Sequence, residues 1–318
     1  MIAFLILMGL GLSVALLLPD SDGDGAGGSE EQAPDTPEIY SEGNDQIIAE
    51  GAQEGVAAYW NGLVGEGEVT QAEADALIGG ADYVQGAMNV DAAGGDDLAL
   101  GSEGNDIIDT GAGDDVADGG LGDDEVQLGE GSDVYGVDWR VIDYPDDFQS
   151  FPNDYAPFGT EADYEGGDDT VSGGGGNDFI ADGYGANVLK GRGGADLLVA
   201  VDQDGVTPDE IYAGSGDDRI FVDEGDFVTT AAGADIVTIE IHGTVEEGYQ
   251  VITISDFNPE EDRLEVLERV GEYDDERITD PVTVEDLEDG TGALLSIGGV
   301  PVAVLIGGQG MTVEDIVI

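Results

Sequence analysis

Residues 92–136 read AAGGDDLAL GSEGNDIID TGAGDDVAD GGLGDDEVQ LGEGSDVYG, which is five units of nine residues with no shift in register. The sixth position of each unit is an aspartate, and the fourth is a glycine. The eighth position is mostly apolar and holds Ala99, Ile108, Ala117, Val126 and Tyr135. A fixed short period of this kind is typical of a solenoid, in which one repeat stacks on another.

The composition of the unit predicts a turn followed by a very short strand. Glycine and aspartate fill most of the first six positions, and both tolerate the backbone conformations that turns require. The last three positions form the strand, with the eighth side chain pointing inward. Two turns and two strands make one coil, so each unit stacks on the unit two places further on. We therefore expect Asp97, Asp115 and Asp133 along one edge, and Asp106 and Asp124 along the other.

The same unit returns further along the chain. Residues 164–199 read YEGGDDTVS GGGGNDFIA DGYGANVLK GRGGADLLV, and their sixth positions are Asp169, Asp178, Asn187 and Asp196. Their eighth positions form a bulkier inner row of Val171, Ile180, Leu189 and Leu198. Further units surround Asp218 and Asp235, where the spacing is no longer nine.

Rows of stacked carboxylates predict bound cations, because like charges repel strongly unless a cation lies between them. Calcium suits such turns, since it accepts carboxylate and carbonyl oxygens in a flexible geometry of high coordination number. Glycine lets the backbone carbonyls face the ion. We expect several calcium ions and calcium-dependent folding, with tighter binding in the first block, where fewer acids are replaced. The expected calcium-binding residues are Asp96, Asp97, Gly104, Asn105, Asp106, Gly113, Asp114, Asp115, Gly122, Asp123, Asp124, Asp133, Asp168, Asp169, Gly176, Asn177, Asp178, Asp196, Asp217 and Asp218.

The unit resembles the nonapeptide G-G-x-G-x-D-x-(apolar)-x of the RTX, or haemolysin-type, calcium-binding proteins. The resemblance covers most of residues 42–318 and implies an all-β fold, a parallel β-roll solenoid of Gly/Asp-rich repeats. A strand that leads into Asp256-Phe257 and then Asp262-x-Leu264 is similar to the end module that follows RTX repeats. Such a C-terminal β cap would cover the last apolar rung of the solenoid. A disordered Gly/Asp-rich tract is the alternative, but disorder does not hold a nine-residue register.

The N-terminal part of the chain changes character twice before the repeats begin. Residues 1–18, MIAFLILMGLGLSVALLL, predict a hydrophobic helix that acts as a membrane anchor or a signal. The anchor is favoured, because the segment has no Lys or Arg at its start and no clear cleavage site. Residues 19–41 are rich in Pro, Gly, Asp and Glu and predict a disordered acidic linker.

The rest of the chain divides into four segments. Residues 42–136 are the first repeat region, which opens with a lone unit that has Asp45 at position six and Ile48 at position eight and which includes a short helix at 70–77. Residues 137–163 are an aromatic and Pro-rich excursion, expected to pack on the solenoid or to form a binding surface. Residues 164–235 are the second repeat region, and 236–318 the C-terminal β capping module.

Composition narrows the class of function. The chain has 73 acidic residues against 7 basic ones, a formal charge of −66, which argues against a nucleic-acid partner. It has no cysteine and a single histidine, His242, in a strand-like segment without a GxSxG or HExxH motif. We therefore expect no catalytic centre. Sites of this type are expected to fill at extracellular calcium concentrations and to stay largely empty in the cytosol.

These observations favour an extracytoplasmic, membrane-anchored or secreted protein with a structural or interaction role. One alternative is a secreted RTX exoprotein with a toxic or enzymatic activity. Another is a cell-surface adhesin or carbohydrate-binding protein that uses the aromatic excursion. The last five residues, Glu314 to Ile318, are similar to the type I secretion signal of RTX exoproteins and are equally typical of a last edge strand.

Overall fold

The structure is a computed structural model that describes residues 38–39, 46–49, 82–84, 87–102, 104–136, 167–202, 207–242, 245, 248–269, 275–276, 278 and 280–318. In these ranges the ordered elements are β-strands, apart from one short 3-10 helix at Val313–Asp315. The apolar segment 1–18, most of the acidic linker, the helix expected at 70–77 and the aromatic excursion at 137–163 lie outside them.

The strands, numbered in chain order, form two sheets. The first sheet contains, in spatial order, β1 (Glu38–Ile39), β4 (Asn89–Asp91), β6 (Ile107–Asp109), β8 (Glu125–Glu130), β10 (Thr170–Gly175), β12 (Val188–Gly193), β14 (Glu210–Ser215), β16 (Phe227–Ala232), β18 (Ile252–Ile254), β23 (Val300–Ile306), β22 (Gly292–Ile297) and β21 (Val282–Asp286). The second contains β20 (Asp275–Glu276), β19 (Arg263–Arg269), β17 (Ile236–His242), β15 (Arg219–Val222), β13 (Leu197–Ala200), β11 (Phe179–Ala181), β9 (Val134–Tyr135), β7 (Val116–Gly120), β5 (Leu98–Ser102), β2 (Gln46–Ala49) and β3 (Asp82–Val84), and β24 (Ile316–Val317) pairs with β19.

From β4 to β19 the chain alternates between the two sheets, and strands within a sheet run parallel. Ala99 of β5 pairs with Ala117 of β7, and Ile108 of β6 pairs with Val126 of β8. Each unit therefore stacks on the unit two places further on, as the period predicted. This is the arrangement of a parallel β-roll.

The roll continues without interruption from the first block of repeats to the second. Val126 of β8 pairs with Val171 of β10, and Tyr135 of β9 pairs with Ile180 of β11. The coil that ends at residue 136 therefore contacts the coil that begins at residue 167 as directly as any two coils within a block. Residues 137–166, which join the two blocks in the sequence, lie outside the described ranges.

The side chains at the eighth position form the core between the sheets. Those of both blocks are buried and belong to one apolar cluster: Ala99, Ile108, Ala117, Val126, Tyr135, Val171, Ile180, Leu189 and Leu198. The cluster continues through Ile211, Ile220, Val228 and Val237, where the spacing is irregular. An inward side chain in each short strand is thus the feature that every coil preserves.

Two details of the sequence interpretation are corrected at the N-terminal end. In the lone unit at 42–50, Ile47 rather than Ile48 occupies the eighth position, because Ile47 pairs with Ala99. The expectation of disorder for residues 19–41 does not hold at Glu38–Ile39, which pairs with Val90 and Asp91 of β4. The free edge of a sheet offers unpaired amides and carbonyls, and a nearby extended segment satisfies them.

The C-terminal strands extend both sheets beyond the repeats. Strands β22 and β23 form an antiparallel hairpin whose turn is Gly298-Gly299, both with positive φ, and β23 pairs with β18 of the roll. Their inward side chains, including Leu295 and Leu305, join the same apolar cluster. The last strand, β24, pairs with Leu264 and Glu265 of β19. The acidic and apolar residues at 314–318 thus form the 3-10 helix and an edge strand.

Candidate metal centres

The sixth-position residues form two columns, one along each edge of the roll. In each column, the backbone N–H of one turn donates to the side chain of the turn stacked on it. The first column contains Asp97, Asp115, Asp133, Asp178, Asp196, Asp218 and Asp235 and ends at Asp262. The second begins at Met88 and contains Asp106, Asp124, Asp169, Asn187, Asp209 and Asp226.

The carboxylates within a column are held by regular hydrogen bonds. The N–H of Asp97 donates to Asp115 Oδ1 at 2.8 Å, and that of Asp115 donates to Asp133 Oδ1 at 2.9 Å. Across the join between the blocks, the N–H of Asp133 donates to Asp178 Oδ1 at 3.1 Å. In these carboxylates one oxygen is thus fixed by the backbone, and in Asp133 and Asp178 the other oxygen accepts no hydrogen bond from the protein.

The fifth-position side chains form an outer row beside each column, with hydrogen bonds in the opposite direction. Asp96 Oδ1 accepts from the N–H of Asp114 at 3.1 Å, and Asn105 Oδ1 accepts from the N–H of Asp123 at 3.2 Å. These side chains are half-buried or exposed, whereas the column residues are buried. Two stacked turns therefore share a buried column side chain from one turn and an outer polar side chain from the other.

The second oxygen of most column carboxylates is buried and accepts no hydrogen bond from the protein. This holds for the Oδ2 atoms of Asp124, Asp133, Asp178, Asp196, Asp209, Asp218 and Asp235. A buried ionised oxygen without a partner is costly, and native proteins rarely keep one unless it binds a cation or a proton. A whole series of such oxygens along the edges of the roll indicates positions where positive charge belongs.

Burial and the mutual repulsion of the column carboxylates raise their pKa values. Burial and, after it, the charge of the neighbouring Asp169 carboxylate raise the pKa of Asp124 to about 8. Burial, together with the Asp178 carboxylate, raises the pKa of Asp133 to about 8. Burial likewise raises the pKa of Asp115 and of Asp196 to about 6. Without a cation, these groups hold their protons far more tightly than an exposed aspartate does.

Glycine provides the space for the carboxylates and for the close stacking of the turns. A Cβ on Gly119 would overlap Oδ2 of Asp124, the column residue of the same turn. A Cβ on Gly131, which has φ +156°, would overlap the carbonyl oxygen of Gly113 in the turn below. The turns are packed so closely that only glycine fits at these positions, and the carbonyls lie beside the carboxylates.

The arrangement fits calcium better than it fits other cations. The oxygens on offer are carboxylates and backbone carbonyls, the hard donors that calcium takes in large number. In the described part of the chain, no three acidic or histidine side chains converge on one point. An ion in these turns would therefore take one or two carboxylates and complete its shell with carbonyls and water.

Comparison with known proteins identifies the turns. A family model described as the RTX calcium-binding nonapeptide repeat matches four copies, at residues 91–126, 100–135, 164–199 and 205–226. The chain carries RTX calcium-binding repeats. No curated protein and no solved structure is significantly similar to it.

The structure places the residues that we predicted as ligands of the RTX turns in three kinds of position. The aspartates at position six all lie in the two columns. The polar residues at position five, which include Asp168, Asn177 and Asp217, lie in the outer row. Gly104, Gly113, Gly122 and Gly176 occupy the fourth positions of their turns, where the backbone of one turn approaches the next.

Several column residues were missing from the sequence prediction. Asp209 follows Asn187 in the second column after 22 residues, and Asp226 follows Asp209 after 17. Because neither interval is a multiple of nine, the strict register overlooked both. A looser signal was available: in Asp209-x-Ile211 and Asp226-x-Val228 an aspartate stands two residues before a buried aliphatic residue. The same signal identifies Asp235 and Asp262.

The carboxylates at the end of the first column have more hydrogen-bond donors than those in its middle. Asp262 accepts from the N–H of Asp235 through Oδ1 and from the N–H of Asn258 through Oδ2. Asp256 accepts from the N–H groups of Thr230 and Ala231. Both oxygens of each carboxylate thus have backbone donors, so that these two residues tie the segment 255–262 to the roll.

Proposed function

We propose that this protein binds several calcium ions along the two edges of its β-roll, and that this binding drives its folding. The observation that carries the proposal is the series of buried column oxygens without a hydrogen-bond donor. The match to RTX calcium-binding repeats supports the same cation. In the absence of calcium, these carboxylates repel one another across the stacked turns, and strands of two to seven residues offer little to offset that repulsion.

A calcium titration followed by circular dichroism tests the proposal. In chelator, the repeat region should be largely unfolded, and its β signal should grow as calcium is added. Magnesium should substitute poorly, because it requires a smaller, near-octahedral shell. Sodium chloride at equal ionic strength is the control for general screening of the −66 charge. A spectrum that does not change between chelator and calcium would overturn the proposal.

The role that we propose is structural or interactive, in an extracytoplasmic location. If folding depends on calcium, the chain folds in compartments where calcium is abundant, such as the extracellular space. The C-terminal strands serve as the cap of the roll, since β23 and β24 extend the two sheets and bury Leu305 and Phe257 against the last coils. RTX repeats form a calcium-binding module, and no catalytic step belongs to this proposal.

Membrane attachment through residues 1–18 is a further part of the proposal, and it rests on sequence. The segment is apolar apart from glycine and Ser13. No helix of the described ranges is long and apolar enough to cross a bilayer, and residues 1–18 fall outside those ranges. Expression of the full chain with fractionation of membranes tests this part. An anchored protein stays with the membrane in high salt, whereas a mature protein that begins near residue 20 and remains soluble has lost a signal.

The two other roles considered from the sequence remain hypotheses with their own tests. A glycan array probed with and without calcium tests an adhesin or carbohydrate-binding role, for which residues 137–163 are the candidate surface. Binding that depends on calcium and is lost when that segment is replaced by a Gly/Ser linker would favour it. Export that depends on residues 314–318 would favour a secreted exoprotein.

A further inference from the structure

A third set of acids lies beside the second column, where the RTX unit has no acid. Three turns lead from the second sheet back to the first after β11, β13 and β15. Each has an aspartate within two residues of the end of its strand: Asp182, Asp202 and Asp223. We call these residues the inner row. In the first block, the position that corresponds to Asp182 in the turn of Asp124 is Gly119.

Asp182 stands in a turn that has lost its column carboxylate, because the sixth position of that turn is Asn187. The carboxylate of Asp182 lies close to that of Asp169, the column residue of the turn below. Asp169 Oδ2 accepts from the hydroxyl of Tyr135 at 3.1 Å, whereas Oδ2 of Asp182 is buried and has no donor. Two carboxylates in contact require a cation or a proton between them. The negative charge missing at Asn187 is therefore present on Asp182, at the start of the same turn.

At the other end of the inner row, Asp202 and Asp223 also lie close to carboxylates of the second column. Asp209 is 1% exposed and Asp226 is fully buried, and both belong to the second column. Asp209 has one oxygen fixed by the N–H of Asn187, and its buried Oδ2 has no partner. Its carboxylate is within electrostatic reach of Asp226, Asp202 and Asp223. Asp223, itself 6% exposed, also has a buried oxygen without a partner, Oδ1.

The backbone holds this group of acids in place. The N–H of Asp202 donates to Asp223 Oδ2 at 3.1 Å, and the N–H of Asp223 donates to Asp226 Oδ2 at 2.9 Å. Asp202 is itself held by the N–H and hydroxyl of Thr207, each at 2.6 Å. Asp202 is therefore a positioning residue, whereas Asp223 and Asp209 keep oxygens for a ligand. The turn 223–226, Asp-Glu-Gly-Asp, contains a single glycine and three acidic side chains.

We propose that the inner-row residues Asp182 and Asp223 are cation ligands, each of which shares a divalent ion with a carboxylate of the second column. Asp182 pairs with Asp169, and Asp223 pairs with Asp209. The second column thereby keeps its ions past Asn187 and through the irregular coils, where the nonapeptide spacing fails. This inference rests on calcium binding by the columns and adds ligands that the nonapeptide unit does not contain.

Counting bound calcium in the full-length protein tests the inference. Asp182→Asn and Asp223→Asn should each lose one bound ion from the wild-type number, measured by equilibrium dialysis or native mass spectrometry. Each should also melt at a lower temperature than the wild type in excess calcium. Glu210→Gln is the control, because this substitution removes one negative charge, as the two test variants do. Glu210 is exposed and lies next to Asp209 in the sequence. It should keep the wild-type ion number.

The sign of the stability change distinguishes a cation from a shared proton or plain repulsion. If no ion lies at these carboxylates, removal of one charge relieves repulsion, so that both variants keep every ion and melt higher in calcium. That result overturns the inference while the columns still bind calcium. A wild-type protein that binds no calcium at all overturns the proposed function instead.

Terbium emission provides a measurement that does not depend on the folding of the charge variants. Tyr249 lies within electrostatic reach of Asp223 and Asp226, and its hydroxyl has no hydrogen-bond partner. Tyr249→Phe therefore removes a sensitiser of terbium at this end of the row with little effect on packing. We expect a partial loss of tyrosine-sensitised emission at an unchanged number of bound ions. Emission equal to that of the wild type contradicts an ion at Asp223.

Discussion

At the scale of single residues, each column carboxylate has two tasks. One oxygen accepts a backbone N–H from the neighbouring turn and so fixes the stacking, and in most column positions, such as Asp133 and Asp178, the other lies buried without a donor. A change from aspartate to asparagine preserves the first task but weakens the second, because an amide oxygen carries no net charge. Asn187 shows this in the chain itself: its Oδ1 still accepts from the N–H of Asp169 at 2.9 Å.

Calcium affinity should therefore depend more on Asp115 than on Asn187. Asp115 lies between Asp97 and Asp133 in the first column, so Asp115→Ala removes a charged ligand that two stacked neighbours share. We expect it to weaken calcium binding by about tenfold, or ~1.4 kcal/mol, and to weaken it more than Asn187→Ala does. Isothermal calorimetry on both variants measures the difference. Equal losses would contradict the assignment of the column residues as charged ligands.

The close approach of stacked turns predicts a second effect at this scale. Gly131→Ala places a Cβ against the carbonyl oxygen of Gly113 and should destabilise the folded state in calcium by about 2–4 kcal/mol, from overpacking and positive φ together. Urea unfolding in excess calcium measures it. Gly290→Ala is the control for backbone strain alone, because Gly290 also has positive φ, +71°, and no atom lies within 4 Å of its added Cβ. Similar losses in both variants would show that collision contributes nothing.

At the scale of elements, no strand of the roll is long enough to be stable alone. Strand β9 has two residues and β11 has three, and each buries only two side chains. Such strands persist because each pairs with a parallel strand on either side, and the calcium binding that we propose would offset the repulsion at the turns between them. The stability of one coil is therefore determined largely by its neighbours.

The segment that follows β18 should be important for the last coils. Phe257 is 1% exposed and packs in the core cluster, while Asp256 beside it accepts from two backbone N–H groups of β16. Phe257→Ala should cost about 3–5 kcal/mol in calcium, because it leaves a cavity at the end of the roll. Phe227→Ala, on the outer face of β16 and 37% exposed, is the matched control and should change stability by less than about 1 kcal/mol. Urea unfolding monitored by tyrosine fluorescence compares them.

At the scale of the whole molecule, charge is the dominant electrostatic feature. A formal charge of −66 is distributed over a fold that lines up many of its acids in two buried columns. Such a molecule requires either bound cations or bound protons to remain compact. Calcium in neutral solution and acid in a chelating buffer should therefore have the same effect on the fold.

The pH dependence in chelator follows from the raised pKa values of the column carboxyl groups. Asp124 and Asp133 have a pKa of about 8 when folded without calcium, because burial and neighbouring carboxylates disfavour their charge, against 3.8 in the unfolded chain. The folded state then binds more protons than the unfolded state between these values, so its stability falls as pH rises through that window. The stability of the folded state in chelator is greatest below about pH 3.8, the pKa of aspartate in the unfolded chain.

Circular dichroism in chelator, recorded from neutral pH down to about pH 5, checks this prediction. The β signal should grow as the pH falls, and in excess calcium it should change little over the same range. Light scattering recorded on the same samples separates folding from aggregation. A signal in chelator that stays flat or decreases on acidification would contradict the raised pKa values.

The sequence by itself determined the regular part of this protein. A period of nine residues, with aspartate at the sixth position and an apolar residue at the eighth, fixes the alternation of turn and strand. Because two turns complete one coil, the period also fixes which aspartates share an edge, as Asp97 and Asp115 do. It predicted the inward row and the glycine turns for the same reason: each depends on residues close together in the chain.

Only the tertiary structure decided where the irregular residues belong. It placed Asp178 directly on Asp133 across 45 residues, put Asp209 and Asp226 into the second column at intervals of 22 and 17, and brought Asp182 against Asp169. A residue joins a column because the strand that follows it pairs with the strand of the previous coil. Residues inserted between one strand and the next turn do not change that pairing. Spacing along the chain therefore stops predicting the ligands where the turns change length, and only strand pairing identifies them.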